Sequence, residues 1–431
     1  MRAPLLTVLA LLVATSGASA QRPNLGLRAR AAESLNRVNA PADVARSVAE
    51  IAEFGLPILP ELLGILFEDT ATLPGGQALQ LDDLRRAALY SAFAALPHNE
   101  LVLHLERVAR ESTSDEEREK SLELLERVGT GAEVRLFFAL ANPGGSEPPS
   151  LLLRDRLEQA LLALAQRDAA IPTALVRLYP RTSGPDRATI IEMLGQTHSE
   201  EAPGLLAGLL GTAGVEADTM ILVELVRLGS DSNPFTDSAA LEKVRGFLGH
   251  PDPRLSTLAC LAVEKLRDSE AVPELIALLG TGDPGLQARA HQTLRRLTGF
   301  DLGRSAEPWM EWLDRSLAWW EERESVCEQQ LASGTAAEAV AALEEVAVQR
   351  LYPEHVVPLV SIAAERSEPE VRKLACRALS AMRHPAASAE LVRLATSSDP
   401  EVAAEARPFL QSLMRSSVRP APHRLRIPSP D

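Results

Sequence analysis

Apolar residues recur at three- and four-residue steps in short segments along most of the chain, with polar residues between them. This spacing gathers the apolar side chains on one face of an α-helix. Several segments begin at an acid–Pro pair, in which the acid caps the helix and Pro fits its first turn. The acids Asp252 and Asp283 lie 31 residues apart, as do Glu368 and Asp399. The pattern predicts a repeated helical unit.

A second set of prolines marks the other helix of each unit. Pro172, Pro203 and Pro273 each open a Leu- and Ala-rich segment, and the first two are 31 residues apart. Pro358 opens a similar segment and aligns with Ala389 at the same period. Two helices of about ten to twelve residues with two turns account for this length. We therefore predict an all-α fold, an α-solenoid of antiparallel helix pairs with a repeat of about 31 residues.

Length and composition favour the same fold. The chain has 431 residues, whereas single hydrophobic cores stop growing at about 250–300 residues. A repeat array grows in one dimension and escapes this limit. Aromatic residues make up only 4% of the chain, which suits closely packed helices better than strands.

The segment from Asp252 to Leu297 resembles short HEAT repeats, including those of the phycobilisome-lyase type. Their pattern is Asp-Pro-x-Val-Arg and an Ala/Leu-rich helix, followed by Ala-Val-Pro-x-Leu and a Leu-rich helix. Residues 369–375 match it best, with Val371 and Arg372 in place, and the units at 252–297 are degenerate. The resemblance implies a helical-repeat scaffold. It does not imply lyase activity, because one fold serves many functions.

Interruptions rich in Gly, Pro or Ser are predicted as loops at 70–76, 141–150 and 230–238. The predicted organisation of the chain has five parts. The parts are a signal peptide at 1–20, a HEAT-like array at 21–300, a Trp-rich capping or insert segment at 301–325, a second HEAT-like run at 326–415 and a disordered tail at 416–431.

The N-terminus resembles an export signal. Arg2 is followed by a short apolar run and by a small-residue cleavage site between Ala20 and Gln21. This predicts a periplasmic or secreted protein, with no membrane insertion after cleavage. An uncleaved N-terminal anchor is the alternative. Residues 297–312 also resemble a Leu-Thr-Gly-x-Asp…Trp-x-x-Trp element that follows HEAT repeats in exported bacterial proteins.

The four tryptophans, Trp309, Trp312, Trp319 and Trp320, lie within twelve residues. Clustered tryptophan is typical of a binding hot spot, so all four are candidate partner-binding residues. Helical spacing also places Trp309, Trp312 and Trp320 on one face, as in a buried stripe. Trp319 lies off this stripe and is the better candidate for partial exposure.

The sequence contains no known catalytic, cofactor-binding or metal-binding motif. Its histidines are scattered, and the three cysteines have no metal-site spacing. One disulfide is compatible with the sequence but is not required by it. We therefore predict no catalytic residues, no cofactor and no metal.

The net charge is −15, a poor match for nucleic acid. The predicted function is a non-catalytic exported scaffold that binds a protein or peptide partner in the cell envelope. The alternatives are a lyase-like or cofactor-attachment enzyme on the same scaffold, and an accessory subunit of an envelope complex.

Overall fold

The computed structural model describes residues 25–142, 150–182, 184–197, 199–229, 237–382 and 384–417. The predicted signal peptide lies outside these residues. So do residues 143–149 and 230–236 of two predicted loops, and residues 418–431 of the predicted tail. The chain divides into two units, residues 1–174 and 175–431, and the boundary falls within helix α9 (Ile171–Leu178).

In the first unit most helices pack against the next one and against the one after it. Helices α2, α4, α6 and α8 contact one another in sequence, which is the stacking of a helical repeat array. The helices of this unit are α1 (Leu25–Asn36), α2 (Pro41–Ala52), α3 (Leu59–Glu68), α4 (Asp83–Ala95), α5 (His98–Glu111), α6 (Asp115–Val128), α7 (Val134–Ala141) and α8 (Leu151–Ala165).

A small hairpin interrupts the helices of the first unit. Strand β1 (Thr70–Thr72) pairs antiparallel with β2 (Ala78–Gln80), and Ala71 lies opposite Leu79. Both of these side chains are buried. The prediction of a plain loop at 70–76 was therefore wrong for its first three residues, because the alternation is too short to be recognised as a strand.

The second unit contains two rows of helices joined by α17. Within each row, helix contacts again run between neighbours and next neighbours. The first row comprises α10 (Gly184–Gln196), α11 (Ala202–Leu209), α12 (Val215–Leu228), α13 (Ser238–Arg245), α14 (Pro253–Leu266), α15 (Val272–Leu278) and α16 (Pro284–Thr298). The linking helix is α17 (Ala306–Glu322). The second row comprises α18 (Glu324–Ser333), α19 (Ala336–Ala347), α20 (Pro353–Ala364), α21 (Pro369–Met382), α22 (Pro385–Ala395) and α23 (Pro400–Ser417).

The fold is therefore an all-α solenoid of paired helices, as predicted. Three of the four acid–Pro pairs act as predicted, because the Asp252, Asp283 and Asp399 side chains accept hydrogen bonds from backbone N–H groups at the starts of α14, α16 and α23. The Glu368 carboxylate instead accepts from Arg366 and Ser367. Pro358 does not open a helix. It lies inside α20, which begins five residues earlier at Pro353. Residues 416 and 417, predicted to start the tail, end α23.

The fourth residue of several repeat helices holds the preceding turn. Arg118 of α6 is only 2% exposed, and it donates five hydrogen bonds of 2.8–3.3 Å to backbone carbonyls. Arg372 occupies the same position in α21 and donates to the carbonyls of two turn residues, Arg366 and Ser367. Ser256 in α14 and Gln287 in α16 likewise donate to carbonyls just before their helices. These side chains satisfy carbonyls that a helix end or turn leaves without a partner.

Candidate partner-binding site

The first half of α17 is anchored by Trp309. Its side chain is completely buried, and its indole N–H donates to the Gly303 carbonyl at 2.8 Å. Its ring meets those of Trp312 and His291 edge to face, with centroids 6.0 and 6.3 Å apart. Trp309 therefore packs the interior of the second unit, and it has no exposed surface with which to contact a partner.

Trp312 keeps part of its ring exposed. It is half-buried. Its ring lies edge to face with that of Phe300, and the two ring centroids are 5.8 Å apart. Phe300 is 37% exposed. Together these two rings form an aromatic surface where α16 ends and α17 begins.

Trp319 and Trp320 pack against the core of the second row. Their rings lie edge to face at 5.0 Å, and Trp320 also contacts Tyr352 and His355 at about 6 Å. Trp319 is partly exposed, as its position off the stripe predicts. The stripe was misleading for Trp312 and Trp320, which are partly exposed as well.

Glu345 of α19 fastens the end of α17. It accepts a hydrogen bond from the indole N–H of Trp319 at 2.7 Å. The Arg323 guanidinium holds both of its oxygens at 2.9 Å. This bidentate contact, with help from Trp319, lowers the pKa of Glu345 to about 2. The second pair of tryptophans is thus committed largely to joining α17 to the second row.

A polar cavity of about 280 Å³ lies between the two rows of the second unit. Residues from the ends of α14 and α16 line one side, and residues from the starts of α20 and α22 line the other. The Ser269 hydroxyl donates to the Glu354 carboxylate at 2.8 Å and so bridges the rows beside it. The lining includes Lys265, Arg267, Ser269, Arg296, Pro353 and His384.

A second cavity, of about 320 Å³, lies on the other side of the α16 end. Arg295, Phe300 and Asp301 line it, and Arg296 is shared by both cavities. Asp301 accepts from His291 and Arg295 at 3.0 and 3.1 Å. We name the surface formed by Arg295, Arg296, Phe300 and Trp312 the α16-end surface.

The sequence does not reveal the basic residues that line the two cavities. They come from separate helices, and the pairs Lys265/Arg267 and Arg295/Arg296 look like ordinary basic residues near helix C-termini. One signal was available. Lys265 and Arg296 lie 31 residues apart, which is the repeat length, so they occupy equivalent positions in consecutive repeats. Stacked repeats place such positions side by side.

The three cysteines are free thiols. Cys260, Cys327 and Cys376 are buried and form no disulfide. Burial raises the pKa of Cys260 to about 12 and that of Cys376 to about 11. Within the described residues, no cluster of His, Cys, Asp and Glu is arranged to hold a metal ion. No helix in the described part of the chain combines the length and hydropathy needed to cross a membrane.

Comparison with known proteins identifies the repeats. Residues 327–413 match the family model of HEAT repeats. Among solved structures, an engineered protein from the Northeast Structural Genomics Consortium is 16% identical, and the match covers 90% of this chain and 94% of that one, with a TM-score of 0.29. Kap121p bound to Nup53p is 11% identical, with 91% of this chain and 50% of Kap121p covered and a TM-score of 0.30. This chain thus spans about half the length of Kap121p. No curated protein matches it.

TM-scores this low do not establish a shared fold, so the assignment depends on the repeat match and on the helix packing. The match falls on the second row, whose helices contact neighbours and next neighbours throughout. Arg372, the arginine of the predicted motif, is buried there and bonds its own turn. Residues 327–413 therefore form HEAT repeats, and the chain contains a HEAT-repeat domain.

Proposed function

We propose that this protein is an exported, non-catalytic scaffold that binds a protein or peptide partner. The α16-end surface is the observation that carries the proposal. It combines two exposed arginines with two aromatic rings, the residue types enriched at binding hot spots. The Arg295 and Arg296 side chains are 52% and 58% exposed.

Packing alone does not account for this surface. Trp309 contributes its whole side chain to the buried core. Phe300 instead leaves more than a third of its surface in water, beside a cavity and a half-buried tryptophan. Exposed apolar area next to polar groups marks interaction sites on many proteins. The high pKa values of Cys260 and Cys376 argue against thiol catalysis.

Site-specific photo-crosslinking tests the proposal. A benzophenone amino acid replaces Phe300 in one variant and Val348 in another, and each is expressed in the source bacterium. Val348, at the end of α19, is 63% exposed and serves as the matched control. We expect one partner protein to be cross-linked from position 300 and none from position 348. Adding Arg296→Glu should abolish this cross-link. The captured partner should have the mass of its uncleaved chain, as expected for a scaffold that does not process it. Equal cross-linking from both positions, or none from either, would overturn the proposal.

Export is tested on the same protein. Fractionation should place it outside the cytoplasm, and N-terminal sequencing should begin at Gln21. A cytoplasmic protein that retains Met1 would refute export without affecting the binding proposal.

A further inference from the structure

The cavity between the two rows has an excess of positive charge. Apart from Arg267, two cations, Lys265 and Arg296, line it against one carboxylate, that of Glu264. Both oxygens of Glu264 are already occupied, because Arg296 pairs with one at 3.1 Å and Arg289 pairs with the other. The carboxylate therefore has no oxygen left for Lys265.

Lys265 is the cation on which the inference depends. It forms no ion pair with any described residue, and its side chain is only partly exposed. A half-buried ammonium group is stabilised by an anion placed beside it. Since Lys265 lines a cavity rather than open surface, an anion there would be partly shielded from water and bound more strongly than at an exposed lysine.

One helix N-terminus adds to this field. Pro353 and His384, at the starts of α20 and α22, both line the cavity. Glu354 in the first turn of α20 offsets the positive end of that helix dipole, whereas α22 has no acid in its first turn. The positive end of the α22 dipole is thus near the same space as the cations.

The size and surroundings of the site indicate a peptide. A volume of about 280 Å³ is at the lower end of small-ligand pockets, enough for one acidic side chain with part of its backbone. From the shared Arg296, the α16-end surface continues the site with Arg295 and the exposed Phe300 ring. This continuation suits a chain that alternates carboxylates with apolar groups.

The small number of cations argues against a polynucleotide. Nucleic-acid binding depends on many cations spread along the contact. Here the cations are few and concentrated, which suits a short acidic segment.

We infer that the two cavities beside the α16 end bind an acidic peptide segment, with one carboxylate in the cavity lined by Lys265 and Arg296 and an apolar side chain against Phe300. This inference rests on the proposed function and specifies its partner class.

Peptide binding to the full mature chain tests the inference. A fluorescein-labelled dodecapeptide rich in glutamate, with two leucines, is titrated by fluorescence anisotropy. Peptides with lysine or glutamine in place of glutamate are titrated in parallel. We expect the glutamate peptide to bind best, and the double variant Lys265→Gln/Arg296→Gln to bind it about tenfold more weakly. Arg254→Gln is the control, because Arg254 lies at the opposite end of α14 from Lys265 and is 79% exposed.

The remaining outcomes are distinct. If the lysine or glutamine peptide binds best and Phe300→Ser weakens it, the scaffold proposal stands and the acidic-partner inference is wrong. Displacement of the glutamate peptide by a single-stranded oligonucleotide more readily than by unlabelled peptide would also overturn the inference. So would equal losses in the double variant and in the control. If no peptide binds, the inference fails, while photo-crosslinking from position 300 decides the proposed function separately.

Discussion

Arg118 should stabilise the first unit far more than a surface arginine does. Its guanidinium donates to four backbone carbonyls, those of Ala109 and Ser112 at the end of α5 and those of Ala139 and Leu140 in α7. The substitution Arg118→Met keeps most of the packing volume and removes every one of these donors. Each buried carbonyl left without a partner costs about 1 kcal/mol, so we expect a total loss of about 4 kcal/mol.

Hydrogen exchange measured by mass spectrometry suits this test, because a chain with two units need not unfold in one step. A loss of about 4 kcal/mol corresponds to a roughly thousandfold increase in the opening equilibrium. Peptides covering α5 and α7 should therefore lose about that much protection, while peptides from α18–α23 should not change.

Two controls define the result. Arg110→Met removes an exposed arginine from the last turn of α5 and should cost only a few tenths of a kcal/mol. Arg118→Lys keeps the charge but not the planar fork, and should fall between the two. If Arg118→Met leaves protection in α5 and α7 within about threefold of wild type, the claim that this arginine holds both helix ends is wrong.

Three further predictions follow from buried groups of the second unit. Trp309→Ala should destabilise that unit by about 3–5 kcal/mol in urea titrations, with Trp309→Phe losing clearly less; similar losses from the two would contradict the packing role. Burial holds the pKa of His384 at about 4, so its contribution to stability is complete above its ordinary pKa of about 6.5 and is lost as pH falls toward 4. The difference in unfolding free energy between wild type and His384→Asn should change by up to about 3 kcal/mol over that range. Burial also raises the pKa of Asp268 to about 6, but Asp268 is present in both proteins and its effect cancels in the difference. A difference that does not depend on pH would refute this prediction. A thiol reagent should leave Cys260 unmodified in the native protein while labelling a Val348→Cys variant rapidly, and rapid labelling of Cys260 would show that its site opens readily.

Local signals were sufficient to predict most of the repeat. The acid caps and the 31-residue spacing identify α14, α16 and α23, because capping and helical periodicity depend only on residues close in sequence. The same signals explain why Pro358 misled. A proline early in a helix and a proline that opens one look alike when the preceding residues also permit a helix.

The candidate site depended on contacts that the sequence does not display. The cavity lined by Lys265 and His384 joins residues more than a hundred positions apart, which meet only because the second row lies against the end of α14. The exposures of Trp312 and Trp320 are likewise set by neighbours from other elements, Phe300 and Tyr352. Helical spacing alone gives a face, and it cannot say how completely a neighbour covers that face.

The fourth-residue contacts have a consequence for how such a chain evolves. Ser256 bonds to the carbonyl of Leu248, and Gln287 bonds to that of Thr281, so each helix carries the group that completes the turn immediately before it. A duplicated gene segment that begins at such a turn brings its own hydrogen bonds into the new copy. A break between the turn and its helix would separate the two partners. Gain and loss of repeats should therefore occur most readily in whole units whose junctions precede the turn rather than the helix.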